Sequence, residues 1–176
     1  MPDLRFRPQK RVRARLALPG AGTLLGSLAA AVEVLEEVFD FSDGFGGTSG
    51  GGIVALARAS GKTPAQVSEI VRKYLKRKDI LDSGWLTLGA TGLYRGKVVE
   101  GLLAQELGAR TKMGDLKYPC RVTVSSMWTK KPAVICSHRH PQVLAYKAGR
   151  ATSGIQGLFD LIRVREDNAR TYGDGG

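Results

Sequence analysis

The pentapeptide Gly47-Thr48-Ser49-Gly50-Gly51 constrains this chain more than any other stretch. The extended-looking run Phe39-Asp40-Phe41-Ser42 precedes it, and the helix-like run Ile53-Val54-Ala55-Leu56-Ala57-Arg58-Ala59 comes after. A G-x-S-x-G sequence between strand and helix predicts a turn so sharp that its serine is held in a strained backbone conformation. Gly47 and Gly51 remove side chains that would clash there, with Thr48 and Gly50 completing the elbow. Ser49 is then presented at the tip of the turn, near the positive end of the next helix. The chain has 23 glycines, so the pentapeptide alone leaves a plain glycine-rich turn open. Its neighbours decide the matter.

Residues 11–18 alternate, with Val12, Ala14, Leu16 and Leu18 on one face, which predicts a strand. The turn Pro19-Gly20-Ala21-Gly22 comes next. Then Leu28, Val32, Leu35 and Val38 recur at helical spacing, with Glu33, Glu36 and Glu37 expected outside. The next unit repeats the plan: a strand over 39–46, the elbow, and a helix to about Ser60. Thr63-Pro64 opens a further helix, a capping hydroxyl before proline at the first helical position, running to about Lys78. Residues 82–96 read as loop, with four glycines and several apolar groups. A helix over 97–107 is stopped by Gly108. Strands are expected at 121–125, 133–136 and 161–164, and a helix at 142–152.

Strands alternating with helices imply an α/β fold of three layers, a mostly parallel central sheet covered by helices on both faces. At 176 residues the chain suits one domain with a full core. The division expected is a basic N-terminal arm, 1–13, and a domain over 14–176.

The net charge of +11 favours polyanions without choosing among nucleic acid, anionic lipid and acidic substrates. Arg5, Arg7, Lys10, Arg11, Arg13 and Arg15 crowd the N-terminus, and Lys73, Lys76, Arg77 and Lys78 form a second cluster. That second cluster lies close in sequence to Trp85 and Leu86, and basic groups beside aromatic and aliphatic ones suit contact with an anionic membrane. A solvated basic face is the plainer reading. The apolar run after the basic arm is broken by Pro19, Gly20 and Gly22, which argues against a secretory signal or a membrane span. Cys120 and Cys136 lie in strand-like runs without metal-ligand spacing and read as buried free thiols in a reducing compartment. The expectation is a cytoplasmic protein with peripheral contact to membranes.

Elbow and first turn combine with the end of the chain, Tyr172-Gly173-Asp174-Gly175-Gly176. Three motifs then stand in order: Leu18-Pro19-Gly20-Ala21-Gly22, Gly47-Thr48-Ser49-Gly50-Gly51-Gly52, and Asp174-Gly175-Gly176. Between them lie Leu35-Glu36-Glu37, Gly114-Asp115-Leu116 and the stretch from Ala151 to Phe159. In this order and over about residues 14–176 the sequence resembles the patatin-like phospholipase family. That resemblance implies hydrolysis of a phospholipid or related lipid ester through a covalent acyl-enzyme. It implies Ser49 as nucleophile, Asp174 as the base that takes its proton, and an oxyanion hole from the backbone N–H groups of Gly20, Ala21 and Gly22. It implies neither metal nor organic cofactor, and no nucleic-acid partner. Two departures stand out. Ala21 replaces a glycine of the family's first loop, and Leu24 stands where that loop usually has a basic residue. Asp174 is two residues from the last residue, so a truncated domain and a frayed, loosely held Asp174 are expected.

The chemistry is sound apart from any resemblance. A serine hydroxyl is a weak nucleophile until a positioned base receives its proton. A carboxylate serves only if placed within hydrogen-bond reach. The rivals are thinner. A Ser-His-acid triad would draw on His138 or His140, which read better as a surface turn. His-x-His has no third zinc ligand at a recognisable spacing. Ser60-Gly61-Lys62-Thr63 matches the end of a phosphate-binding loop, but Leu56 stands where the first glycine is needed. The second class of function left open is a weakly active or non-catalytic module that binds anionic lipid or nucleic acid.

Overall fold

The structure is a computed structural model, and it describes residues 11–76 and 92–175. Its first hydrophobic strand comes in two pieces, β1 (Val12–Arg13) and β2 (Leu16–Leu18). The partner run is split in the same way, into β3 (Phe39–Asp40) and β4 (Phe45–Thr48). A turn closed by the Gly44 N–H donating to the Phe41 carbonyl (3.0 Å) interrupts it. β1 therefore pairs with β3, and β2 with β4, both parallel. The continuous strands expected over 11–18 and 39–46 are corrected by that one turn.

After β2 a short 3-10 turn, Gly22–Leu24, leads into α1 (Leu25–Val38). Its inward stripe is Leu25, Ala29 and Val32. Leu35 and Val38, expected inside, are exposed, and Leu28 is half-buried. The stripe continues at Glu36, which the sequence placed outside. Arg58 makes the inward position tolerable, its Nε and Nη2 donating to the two Glu36 carboxylate oxygens at 2.5 and 2.6 Å. Arg58 also lies over the Phe45 ring, 5.5 Å from its centroid. A charge can face inward when it arrives already paired.

The order continues through α2 (Ser49–Ala59), α3 (Pro64–Lys76), β5 (Gly92–Tyr94) and α4 (Lys97–Leu107). Then come β6 (Cys120–Ser126), β7 (Lys131–Cys136), α5 (Ala145–Thr152), β8 (Gly157–Phe159), β9 (Ile162–Val164) and β10 (Arg170–Asp174). Two short strands correct the loop reading near 92–94 and the missing element at 157–159: β5 and β8 pair with each other. The tail is corrected too, since residues 170–174 form β10.

Four of the seven pairings among the described strands are parallel, and in the six-stranded main sheet β2, β4, β6 and β9 run one way against β7 and β10, so the α/β class with a mostly parallel sheet is what the chain adopts. The main sheet runs β2-β4-β6-β10-β9, with β7 also on β6. On one face Leu16, Leu18, Phe45, Cys120, Val122 and Val124 are buried. α2 lies on that face with α5 beside it, and α1, α3 and α4 pack against this pair. The other face leaves Ala17 and Arg121 exposed. Of the three layers expected, the described residues supply the sheet and one helical layer. No described helix is long and apolar enough to cross a membrane.

The register of β6 decides which strand ends meet. β7 occupies one edge along Arg121–Ser126. The other edge is shared: β4 takes Cys120–Thr123 running parallel, and β10 takes Val124–Ser126 running antiparallel. β4 and β10 thus enter the same edge from opposite ends and meet tip to tip.

Candidate active site

Ser49 sits at that meeting point. Thr48 pairs with Thr123 and Asp174 pairs with Val124, so the residue after Thr48 and the last residue of β10 hold adjoining positions beside β6. Thr48 is extended at φ −123°, and Ser49 then turns into the left-handed region at φ +53°. Such a backbone costs a non-glycine residue about 1–3 kcal/mol, and it persists only where the surroundings hold it. The strained elbow expected from the pentapeptide is therefore present.

The glycines around it are needed for close approach. A Cβ on Gly47 would lie 2.5 Å from the Gly51 carbonyl carbon, and one on Gly51 would lie 2.7 Å from the Leu18 carbonyl oxygen. The first turn of α2 is thus pressed against both its own strand and the end of β2. That contact also brings the first loop to the serine. The position of a Cβ on Gly20 lies 3.7 Å from the Ser49 Cβ, and that on Gly50 lies 3.4 Å from the Ala21 Cβ. Gly22 comes next at φ +47° with open space around it. Gly20 and Ala21 thus lie against the elbow, Gly22 follows them, and Leu24, in the place of a basic residue, is exposed.

Asp174 is not a loose tail. Its residue is 9% exposed, it ends a paired strand, and its backbone N–H donates to the Gly154 carbonyl at 2.9 Å. The expectation of fraying fails because β10 is zipped to β6 on one side and to β9 on the other. The glycine after it has a plain reason: a Cβ on Gly175 would come within 2.5 Å of the Thr123 carbonyl carbon. Gly176 lies outside the described residues.

One residue at the site was missed in the sequence. Thr152, the last of α5, is fully buried. Its Oγ1 accepts the Ser49 N–H at 2.9 Å and donates to the Thr123 carbonyl at 2.7 Å. A single hydroxyl so ties the elbow, β6 and α5 together. The only sequence signal was its place in the family-like stretch from Ala151 to Phe159. Nothing in a linear reading pairs Thr152 with a serine 103 residues away.

The other candidates lie elsewhere. His138 and His140 come after β7, whose Cys136 pairs with Arg121, so they stand past the opposite end of the sheet from Ser49. His140 Nδ1 accepts the Cys136 N–H at 3.3 Å, a local turn contact. Among the described residues no group of three metal-binding side chains forms. Both cysteines are buried and unbridged, and burial pushes the Cys120 thiol up to about 12. Lys73 and Lys76 are exposed on α3, with Lys73 3.8 Å from Glu106. Arg77, Lys78, Trp85 and Leu86, like residues 1–10 of the expected basic arm, lie outside the described residues.

Residues 16–176 match the family described as Patatin-like phospholipase. The chain belongs to that family. Among solved structures this patatin-like chain is similar to VipD from Legionella pneumophila, with a TM-score of 0.66 at 13% identity, covering 96% of this chain and 46% of that one. It is also similar to ExoU, solved with SpcU from the type III secretion system of Pseudomonas aeruginosa, with a TM-score of 0.48 at 16% identity over 82% of this chain and 39% of that one. At such identities the likeness to VipD speaks to the fold alone. The chain spans less than half the length of either structure. No curated protein matches it.

Proposed function

We propose that this patatin-like chain is a lipid acyl hydrolase of the phospholipase A type, working through a Ser49–Asp174 dyad. The observation that carries the reading is the strained Ser49 at the β4–α2 junction, set beside Asp174 by the shared edge of β6. The reaction uses that arrangement directly. Ser49 Oγ attacks the ester carbonyl carbon while its proton passes to the Asp174 carboxylate. The carbonyl electrons move to oxygen, where the N–H groups of Gly20, Ala21 and Gly22 stabilise the oxyanion. The first turn of α2 adds its positive end. When the intermediate collapses, the ester C–O bond breaks and the leaving alcohol takes the proton from Asp174. Water then attacks the acyl-Ser49 carbonyl carbon while Asp174 takes its proton, and as the acyl–Oγ bond breaks Asp174 returns that proton to Ser49 Oγ, releasing the fatty acid.

The substrate class, a phospholipid or related lipid ester, is supported by family membership. Peripheral contact with an anionic membrane is supported by the +11 charge.

The test uses a short-chain nitrophenyl ester, a fluorophosphonate probe and phospholipid vesicles. Ser49→Ala is expected to abolish hydrolysis and labelling with an unchanged circular-dichroism spectrum. Asp174→Asn is expected to lower turnover on the order of 10²–10⁴-fold, the usual worth of a general base. His138→Ala combined with His140→Ala is expected to change the rate only modestly. Essential histidines with a dispensable Asp174 would overturn the dyad. Equal labelling of wild type and Ser49→Ala would overturn the nucleophile. A wild-type chain that binds lipid and hydrolyses nothing is a binding module.

A further inference from the structure

Two turns stand beyond the end of the sheet that carries Ser49. One, Met127 to Lys130, joins β6 to β7, and the other, Arg165 to Ala169, joins β9 to β10. Because Tyr172 pairs with Ser126 and Asp174 with Val124, β10 traced backwards climbs alongside β6. Arg170, the first residue of β10, lies four positions past the Val124–Asp174 pair, which is about 13 Å at 3.3 Å per residue, and Trp128 stands in the turn beyond Ser126, which pairs with Tyr172. Between the turns is a groove of about 600 Å³ lined by Met127, Trp128, Arg163, Asn168, Arg170 and neighbouring backbone.

The chemistry of this groove is specific. Trp128 is 88% exposed, the most exposed of the large apolar side chains described. A tryptophan so placed loses the burial that usually selects it. Arg163 Nε donates to the Ala169 carbonyl at 3.1 Å, which fixes its guanidinium at the groove wall. Arg170 is half exposed, with Asp167 3.9 Å away. That carboxylate is also engaged by the Tyr172 hydroxyl. Glu166, the other acid of the turn, pairs with Lys147 at 2.8 Å. Lys130 and Lys131 add exposed cations. The balance is positive around one bare indole.

Two further exposed apolar residues stand at the same end. Leu24 lies beyond the end of β2, which runs parallel to β4, and is 67% exposed. Ile155 comes directly after Gly154, whose carbonyl accepts the Asp174 N–H, and is also exposed.

We propose that the Trp128 groove is a docking site for an anionic lipid bilayer, and that it seats the Ser49 end of the molecule on the membrane. This deepens the lipid-hydrolase reading, on which its purpose rests. Indole and arginine together suit the headgroup layer, where one end of a side chain is dry and the other wet. Elements at an interface sink about 5–10 Å into the headgroup and acyl boundary. A rim standing about 13 Å past the dyad would, once sunk, bring the headgroup layer close to Ser49. A nucleic acid would meet the same cations but leave Leu24, Ile155 and much of Trp128 in water, so the apolar rim favours lipid.

The test measures binding of the full chain, carrying Ser49→Ala, to phosphatidylcholine vesicles with and without phosphatidylglycerol. Vesicles then stay intact, and failure of the hydrolase reading shows separately in the ester assay. Arg163→Gln with Arg170→Gln is expected to weaken binding to the anionic vesicles roughly 25-fold, from about fivefold per cation, and added salt is expected to erase that difference. Trp128→Ala is expected to weaken binding to a similar degree, while in chains with Ser49 intact both variants keep wild-type hydrolysis of the soluble ester. With Trp85→Phe, the remaining emission comes from Trp128. It is expected to shift to the blue and to be quenched by brominated lipid. Unchanged binding in either variant, or Trp128 emission that stays at its aqueous wavelength on bound vesicles, would overturn the proposal. So would tighter binding of duplex DNA than of anionic vesicles at matched salt, with the arginine pair carrying it.

Discussion

Removing one hydroxyl from Thr152 should loosen the elbow without disturbing its packing. Thr152→Val keeps the side-chain shape, including the Cγ2 that packs where Gly52 has no side chain, a Cβ there lying 2.7 Å away. It leaves the Ser49 N–H and the Thr123 carbonyl without the partner each has now at 2.9 and 2.7 Å. An unsatisfied buried polar group costs about 1–3 kcal/mol. Ser49 is half-buried, so water restores part of its loss, and the sum expected is about 2–4 kcal/mol. At about 2–4 °C per kcal/mol for a domain of this size, the thermal midpoint falls by roughly 4–16 °C. The catalytic effect adds to this. Without the tether Ser49 relaxes from φ +53°, and misplacement by an ångström lowers turnover by about 100-fold. The assays are a circular-dichroism melt and turnover of a soluble nitrophenyl ester, with KM measured separately. Thr152→Ser keeps the hydroxyl and is expected to recover most of the turnover. A Thr152→Val chain with wild-type midpoint and turnover would refute the tether.

Ser49→Gly is expected to abolish hydrolysis while raising stability by about 1 kcal/mol, since glycine adopts a positive φ without the Cβ penalty; a chemical-denaturation midpoint that falls would show that the elbow is not strained. Tyr172 is held protonated up to about 12, first by burial and then by its hydrogen bond to Asp167. Its folded value lies above the ordinary tyrosine value of 10.0, so its contribution to stability is present below pH 10 and is lost between there and about pH 12. Tyr172→Phe is expected to flatten that part of a stability profile measured by denaturant titration, and an unchanged slope would count against the assignment.

Much of the fold was legible because its local signals agree. The α4 boundaries, 97–107, were read directly from apolar spacing and a stopping glycine, Gly108. The elbow was legible because its glycines are required by backbone approach within a few residues, a purely local demand. The misreadings come from chemistry completed far away in the chain. Glu36 looked like a solvent-facing acid because Arg58, which pairs with it, belongs to a different helix. Leu35 and Val38 looked like core because their spacing is apolar, but the buried phase of α1 is set by Leu25 against α2. β5 and β8, three residues each, carry too little pattern to stand out, and only their mutual pairing makes them strands.

The sequence by itself determined the α/β class, the strained turn at Ser49 and the order of the motifs that mark the family. Those depend on periodicity and on glycines at short spacing, which are properties of neighbouring residues. Only the tertiary structure decided that Asp174 ends a buried strand, that this strand meets β4 tip to tip along β6, and that Thr152 holds the Ser49 backbone. Strand pairing of this kind joins residues far apart in the chain, and its partners are selected by which edge remains open once β7 has taken the other. A linear pattern has no term for that choice, because the hydrogen bonds that enforce it exist only after the sheet has formed.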